Sequence, residues 1–255
     1  MDWYLFFPFL LLGTIFGSFL NVIIYRLPRS ESIAIPRSYC PNCRQPIPIY
    51  RNIPIFSFLV QRGKCADCSA KISWQYPLVE LINGIIWGWS FSVNDPASAI
   101  YLAALGSILL AIAWIDYQHL IIPLSLNIGA LLIVVFAIAF KLIYWRVALW
   151  GMLAGIGIPA VIVGMIYISS GKIGMGLGDI QLGLILGLWL GPIGIVMTLL
   201  LASMLTIIIW GILHFKTGWD KNRPLPFAPY LIISSFIVYI SSYYQSDFIR
   251  GLLLN

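Results

Sequence analysis

Charge is what this sequence has least of. Only 9% of its 255 residues are Asp, Glu, Lys or Arg, while 60% are hydrophobic. A soluble domain typically carries ~25% charged and ~45–50% apolar residues. So thin a supply could not cover the surface of a water-soluble fold of this length, which excludes a soluble enzyme. The apolar excess also excludes disorder and collagen-like or coiled-coil architectures. No base precedes Arg26, so Met1–Leu12 lacks the positive start of a cleaved secretory signal. The two histidines, His119 and His214, read more simply as interfacial or packing residues than as ligands. No internal repeat or low-complexity tract stands out.

Long charge-free stretches are what the chain has instead. Residues 3–25, 96–115, 117–140, 147–171, 180–215 and 224–246 contain no Asp, Glu, Lys or Arg, and each is near or above the ~20 residues that cross a hydrocarbon core. The run 180–215 is too long for one pass, and Gly191-Pro192 is the natural place to break it. Residues 76–93, with Glu80 near the mouth, add a further candidate. The expected fold is an all-α polytopic membrane protein of about eight transmembrane helices with one small insertion. Its expected divisions are a first transmembrane helix (1–25), a loop domain (26–75) and a helical membrane core (76–255).

The net charge of +6 would suit nucleic acid in a soluble protein. In a membrane protein it reports topology, so lipid and no nucleic acid is the expected surrounding. Alternate loops divide the bases unevenly. Segment 26–75, the loop at Lys172 and the loop 216–226 together hold twelve of the fifteen. The positive-inside rule then places 26–75 in the cytoplasm and both termini outside, in a multi-pass inner-membrane protein.

All four cysteines fall in that loop, as Cys40-Pro41-Asn42-Cys43 and Cys65-Ala66-Asp67-Cys68. Two CxxC knuckles can offer four thiolates to one tetrahedral ion, a closed structural zinc site with no open catalytic position. Disulfides or free thiols are the alternative, and a reducing cytoplasm argues against stable bridges. A loop this short has little core of its own, so metal binding would supply much of its folding free energy.

Ionisable residues in or beside a span are functional candidates by default. Asp116 ends one charge-free run and Asp179 precedes another. Counting helices from the assigned orientation puts both at the cytoplasmic leaflet, where they could meet. Two carboxylates in close contact cannot both ionise easily and share one proton, the machinery of aspartyl hydrolysis. An interfacial or capping aspartate, or a proton-coupled transporter, remains open on charge alone. Glycines at 183, 187 and 191 follow the spacing of close helix packing.

At these residues the chain resembles the type IV prepilin leader peptidases. The resemblance rests on Gly17-Ser18-Phe19-Leu20-Asn21 through Arg26-Leu27-Pro28, the two CxxC pairs, Asn52-Ile53-Pro54, Arg62-Gly63-Lys64-Cys65 and Tyr76-Pro77-Leu78-Val79-Glu80-Leu81. It continues with Asp116 followed by Pro123, with Gly176-Leu177-Gly178-Asp179 and with Pro226-Phe227-Ala228-Pro229. It implies that Asp116 and Asp179 are the catalytic pair. It also implies cleavage of prepilin or type II secretion pseudopilin leaders after a glycine, on the cytoplasmic side. A second implied activity is S-adenosylmethionine-dependent methylation of the new N-terminus, associated with the amino-terminal half. Glu80 is the candidate polar contributor to that step, beside an interfacial structural role. No strand–glycine–helix pattern marks a methyl-donor pocket. Two positions depart from the family pattern: Leu124 stands where an aspartate is usual, and Gln181 where a lysine is usual. The rival functions are a transporter, with flux depending on both acids, and a pilus-assembly scaffold tolerant of changes at either.

Overall fold

A computed structural model describes residues 3–35, 37–171, 174–217 and 224–253. Lys172, Lys221 and Arg223, three of the bases behind the orientation argument, lie outside the described residues. The described residues are helical with no strand, carrying only two isolated bridges in the cysteine loop. The chain divides into two compact units, Met1–Ala111 and Ile112–Asn255.

The first unit is built on α1 (Trp3–Arg26) and α3 (Gln75–Val93), antiparallel neighbours flanking the loop that carries the short helix α2 (Phe56–Val60). Lipid supplies no hydrophobic drive for two apolar helices to associate, so close van der Waals packing must do so. Glycine makes that approach possible. A Cβ at Gly17 would lie 2.7 Å from Glu80 Cα, and one at Gly84 would lie 2.9 Å from the Leu10 carbonyl oxygen. Where the pair is closest, a polar chain ties in α4 (Pro96–His119), whose residues to Ala111 belong to this unit. Asn83 Nδ2 donates to the Gly13 carbonyl at 2.7 Å, and Ser107 Oγ donates to Asn83 Oδ1 at 2.8 Å. Trp87 Nε1 in turn donates to Ser107 Oγ at 2.9 Å. The side chains linking α1, α3 and α4 are thus satisfied by one another, as a low-dielectric interior requires.

The second unit takes the end of α4, then α5 (Leu124–Ala139), α6 (Trp145–Ser170), α7 (Leu177–Thr217) and α8 (Ala228–Leu253). Glycines again set the approach. Gly151 and Gly155 of α6 face Gly187 and Gly183 of α7 so closely that the carbonyl oxygens of one helix occupy the space of the other's missing Cβ atoms. Gly191 takes φ 74° and ψ −179°, non-helical values that kink α7 just before Pro192. The apolar run therefore turns where the Gly-Pro pair is expected to break it. Trp189 packs the first arm of α7 onto α8, its ring stacked on Tyr239 at 5.0 Å and edge-on to Phe236 at 5.5 Å.

One boundary differs from the charge-run reading. Residues 117–140 are not a single helix: α4 continues to His119, and α5 begins only at Leu124. Pro123 denies the preceding residue a helical conformation, and Leu120 turns the chain with φ 57°. Among the described residues, four helices are long and apolar enough to cross a membrane: α1, α4, α6 and α7. The apolar helix α5, with 16 residues, rises only about 24 Å.

Candidate active site and cysteine centre

In the second unit, Asp116 lies in the last turn of α4 and Asp179 in the first turn of α7. The Asp116 side chain is buried, and its Oδ2 accepts the backbone N–H of Ala228 at 3.1 Å. That N–H is the first of α8, one of the donors a helix start leaves without an internal partner. The Pro226–Pro229 segment thus supports Asp116 directly, by starting a helix against it. Asp179 is only half-buried. Its backbone N–H returns to the Gly176 carbonyl at 3.2 Å, folding the glycine segment into a turn beside the carboxylate. Gly178 is pressed against the chain leaving α4: a Cβ there would lie 3.0 Å from Ile122 Cβ. This contact draws the two aspartate-bearing helix ends together, and the carboxylates lie within electrostatic range of each other. One is anchored by a backbone donor and the other is partly open, an asymmetry suited to dividing the proton-holding and water-activating roles.

Two residues beyond Asp179, Gln181 Oε1 accepts a hydrogen bond from Asn127 Nδ2 at 3.2 Å, tying α7 to α5. Asn127 carries no sequence signal of its own; it emerges only as the neutral partner of a residue where the family pattern has lysine. Leu124, the other departure, opens α5 as an exposed apolar residue.

In the first unit, the four cysteine sulfurs lie within 4.8 Å of one another, and all are free thiols. Two like-built knuckles bring them together. The N–H groups of Cys40 and Cys65 donate to the carbonyls of Gln45 and Ala70, while Arg44 and Ser69 donate back to Cys40 and Cys65. Arg44 and Ser69 both take positive φ, 59° and 58°, which turns each knuckle tightly. Cys40 and Cys68 sulfurs are 3.9 Å apart. A tetrahedral zinc with bonds of about 2.3 Å sets its sulfurs about 3.8 Å apart, so the donor set and spacing fit that ion. The backbone N–H of Ala70, with the Asn42 amide, brings the Cys68 thiol down to about 6. Cys43 is pushed up to about 12 by burial and neighbouring thiols, although the Gln45 backbone pulls the other way. Binding a dication here must expel thiol protons. The Arg51–Asp67 ion pair, 3.2 Å and part-exposed, links the knuckle to the preceding turn.

Glu80 sits apart from the cysteines on α3, buried, with Oε2 accepting the Ile55 N–H at 2.7 Å and Gly17 of α1 packed against its backbone. It joins α1, α3 and the loop before α2. A buried carboxylate held by neutral donors suits a cationic ligand, which is the chemistry of a methyl donor or of an amine.

Comparison with known proteins gives these arrangements a setting. Residues 11–93 match the model of the bacterial peptidase A24 N-terminal domain, and 103–212 that of the type IV leader peptidase family. A Stutzerimonas stutzeri protein named prepilin leader peptidase/N-methyltransferase is 34% identical over 89% of this chain and 88% of its own length. This chain belongs to the type IV leader peptidase family. Relatives of the same name from Pseudomonas aeruginosa and Neisseria gonorrhoeae are 33% and 30% identical. They align with 89% and 91% of this chain, covering 87% and 88% of their own lengths. No solved structure matches. The first family model spans α3 with Glu80 and all four cysteines of this leader peptidase, and the second spans Asp116 and Asp179. Ala228 and the start of α8 lie beyond both matched stretches.

Proposed function

We propose that this chain cleaves the leader peptide of type IV prepilins or type II secretion pseudopilins, with Asp116 and Asp179 as the aspartyl pair, and N-methylates the new N-terminus. The observation that carries the reading is the meeting of the two aspartate-bearing helix ends through Gly178 and Ile122. It is supported by relatives named for both activities. In this reading the ionised carboxylate takes a proton from water as the water attacks the scissile carbonyl. The protonated carboxyl donates a hydrogen bond to that carbonyl oxygen. The Ala228 N–H holds Asp116 in place throughout. A Cβ at Gly176 would lie 3.3 Å from Asp179 Oδ2, so glycine there leaves that carboxylate oxygen unobstructed.

The membrane arrangement that goes with this has about eight crossings, the two arms of α7 counting separately at Gly191. The cysteine loop and both aspartates then lie at the cytoplasmic face and both termini outside, the orientation favoured by the basic loop 26–75. Cys40, Cys43, Cys65 and Cys68 hold one structural zinc that cross-links the loop. S-adenosylmethionine supplies the methyl group at a site to which Glu80 contributes. The division of labour follows the chain: a first helix (1–25), the zinc loop (26–75) and the core from 76 onward that carries the peptidase acids.

Co-expression of a prepilin with the wild type, Asp116→Asn and Asp179→Asn, with leader removal read by mass, tests the pair. Either variant is expected to lose cleavage by several orders of magnitude while accumulating normally. Cleavage by either one overturns the assignment.

A further inference from the structure

The loop-proximal end of the α1–α3 pair holds a polar cluster that peptide cleavage does not use. Asn21 is 2% exposed. Its Nδ2 donates to the Tyr76 carbonyl at 3.1 Å, but its Oδ1 is buried without a hydrogen-bond partner. One helical turn along the same interface, Glu80 is 7% exposed, its Oε2 accepting the Ile55 N–H at 2.7 Å with Ser18 nearby. The described ion pair of this protein is Arg51–Asp67, so Glu80 faces neutral donors alone. An amide oxygen lacking its donor and a buried carboxylate lacking a cation are each costly to bury. Both are answered by the same kind of group, one with several N–H donors and a positive charge.

The strap over Glu80 is strained. Ile55 takes φ 60° and ψ −50°, and the Phe56 N–H closes back on the Pro54 carbonyl at 2.5 Å. This is a γ-turn of the rare positive-φ kind, placed on a β-branched residue. Strain of this sort costs about 1–3 kcal/mol and persists where surrounding contacts hold it. The bond from the Ile55 N–H to Glu80 is one of the contacts that hold it, beside the Leu59 N–H on the Ile55 carbonyl and the Ile53 N–H on Ser57 Oγ. A better donor arriving at the carboxylate would displace the Ile55 N–H and open the cluster.

We propose that Glu80 and Asn21 form an ammonium-binding site for the free α-amine at the N-terminus of the processed substrate, with the Ile55 strap as its displaceable cover. The site rests on the reading that this chain methylates an amine, and it names the acceptor side of that step. The ammonium donates one N–H to Glu80, in place of Ile55, and another to Asn21 Oδ1. Glu80 takes the proton the nitrogen must shed before its lone pair is free. The ammonium supplies the donor that the buried Asn21 Oδ1 lacks.

The test uses the full-length protein in lipid nanodiscs and a synthetic peptide of mature-pilin sequence beginning with phenylalanine, in free-amine and N-acetylated forms. Peptide affinity is measured directly, without methyl donor, beside methyl transfer to the free peptide. The wild type is expected to bind the free amine at least about tenfold more tightly than the acetylated form. Glu80→Gln retains an acceptor for Ile55 but removes the charge, and Asn21→Leu removes the open acceptor; both should erase the difference. Asn21→Asp keeps the acceptor and should retain it, which a packing role for Asn21 would not produce. Thermal unfolding shows that each variant is folded. Equal wild-type affinity for the two peptides, or full discrimination by Glu80→Gln, overturns the site. A wild type that discriminates yet transfers no methyl group would remove the methylation reading and leave the ammonium site standing.

Discussion

Gly155→Ala, paired with Gly157→Ala on the same helix, tests what holds the aspartate site in register. A Cβ at residue 155 would sit 2.8 Å from the Gly183 carbonyl carbon and closer still to its oxygen, whereas one at 157 meets nothing within 4 Å. Carbon–carbon contacts settle at about 3.5–4.0 Å, so α6 and α7 must part by roughly 0.7 Å or more. The obstacle is backbone, which cannot rotate aside as a side chain would. Overpacking of this kind costs about 1–3 kcal/mol, a fall of roughly 2–12 °C in unfolding temperature at 2–4 °C per kcal/mol. Gly157→Ala should be neutral or raise stability by up to about 1 kcal/mol through helix propensity. The displacement also reaches Asp179 of the proposed pair, which lies one helical turn before Gly183 on the same face of α7. A misplacement near 1 Å can cost about a hundredfold in rate, so leader cleavage by Gly155→Ala should fall by one to two orders of magnitude. Thermal melts in nanodiscs and single-turnover cleavage are the assays. Indistinguishable melting and cleavage in the two variants would refute the claim that glycine contact sets the α6–α7 spacing.

Other outcomes follow from the same structure. Metal analysis of the purified protein should find about one zinc per chain, and Cys40→Ser should lose it; a metal-free wild type would dismiss the centre. Gln181→Lys places a positive charge near Asp179, which favours the ionised carboxylate, so the acid limb of the cleavage pH profile should move to lower pH. An unchanged profile would refute an electrostatic influence of residue 181 on the acid. At the start of α4, Asp95 Oδ1 accepts the N–H groups of Ala97 and Ser98, each at 3.1 Å. Its carboxyl is held below the usual range by the Ser98 hydroxyl and N–H. Asp95→Ala should therefore cost about 1 kcal/mol. The capping contribution is present above the unfolded value of about 3.9 and lost as pH falls through the lower folded value. Melting curves at pH 7 and pH 2.5 check both, and a difference that persists undiminished at pH 2.5 would be evidence against the cap.

How much was legible beforehand depends on the range of the interaction involved. The cysteine pairs could be read directly, because a CxxC knuckle is closed by hydrogen bonds within a few residues, as at Cys40 and Cys65. The turn at Gly191-Pro192 was legible for the same reason: both residues act on their own backbone. The boundary between α4 and α5 was misjudged because charge runs are blind to it. Residues 117–123 are as uncharged as the helices on either side, and it is Pro123 and the positive φ of Leu120 that interrupt them. The Pro226–Pro229 segment stood out as a motif, but nothing near it in the chain indicates that the Ala228 N–H serves Asp116, 112 residues away.

The sequence by itself determined that this protein is helical and belongs with a bilayer, that its one sizeable polar loop carries the cysteines, and which few acids deserved attention. Those are properties of partition and local geometry, set residue by residue. Only the tertiary structure decided which helices touch and through what. Glycines spaced by four occur on α1, α3, α6 and α7 alike, and spacing alone cannot say that α1 meets α3 while α6 meets α7. Likewise Asn21, Asn83 and Asn127 are chemically the same residue. Asn83 completes a satisfied network, while Asn127 ties two helices and Asn21 holds the Tyr76 carbonyl through their amide nitrogens, each with a buried Oδ1 left open. The difference lies in what each faces across an interface, and in a low-dielectric interior that facing partner decides whether a polar group is structure or a site.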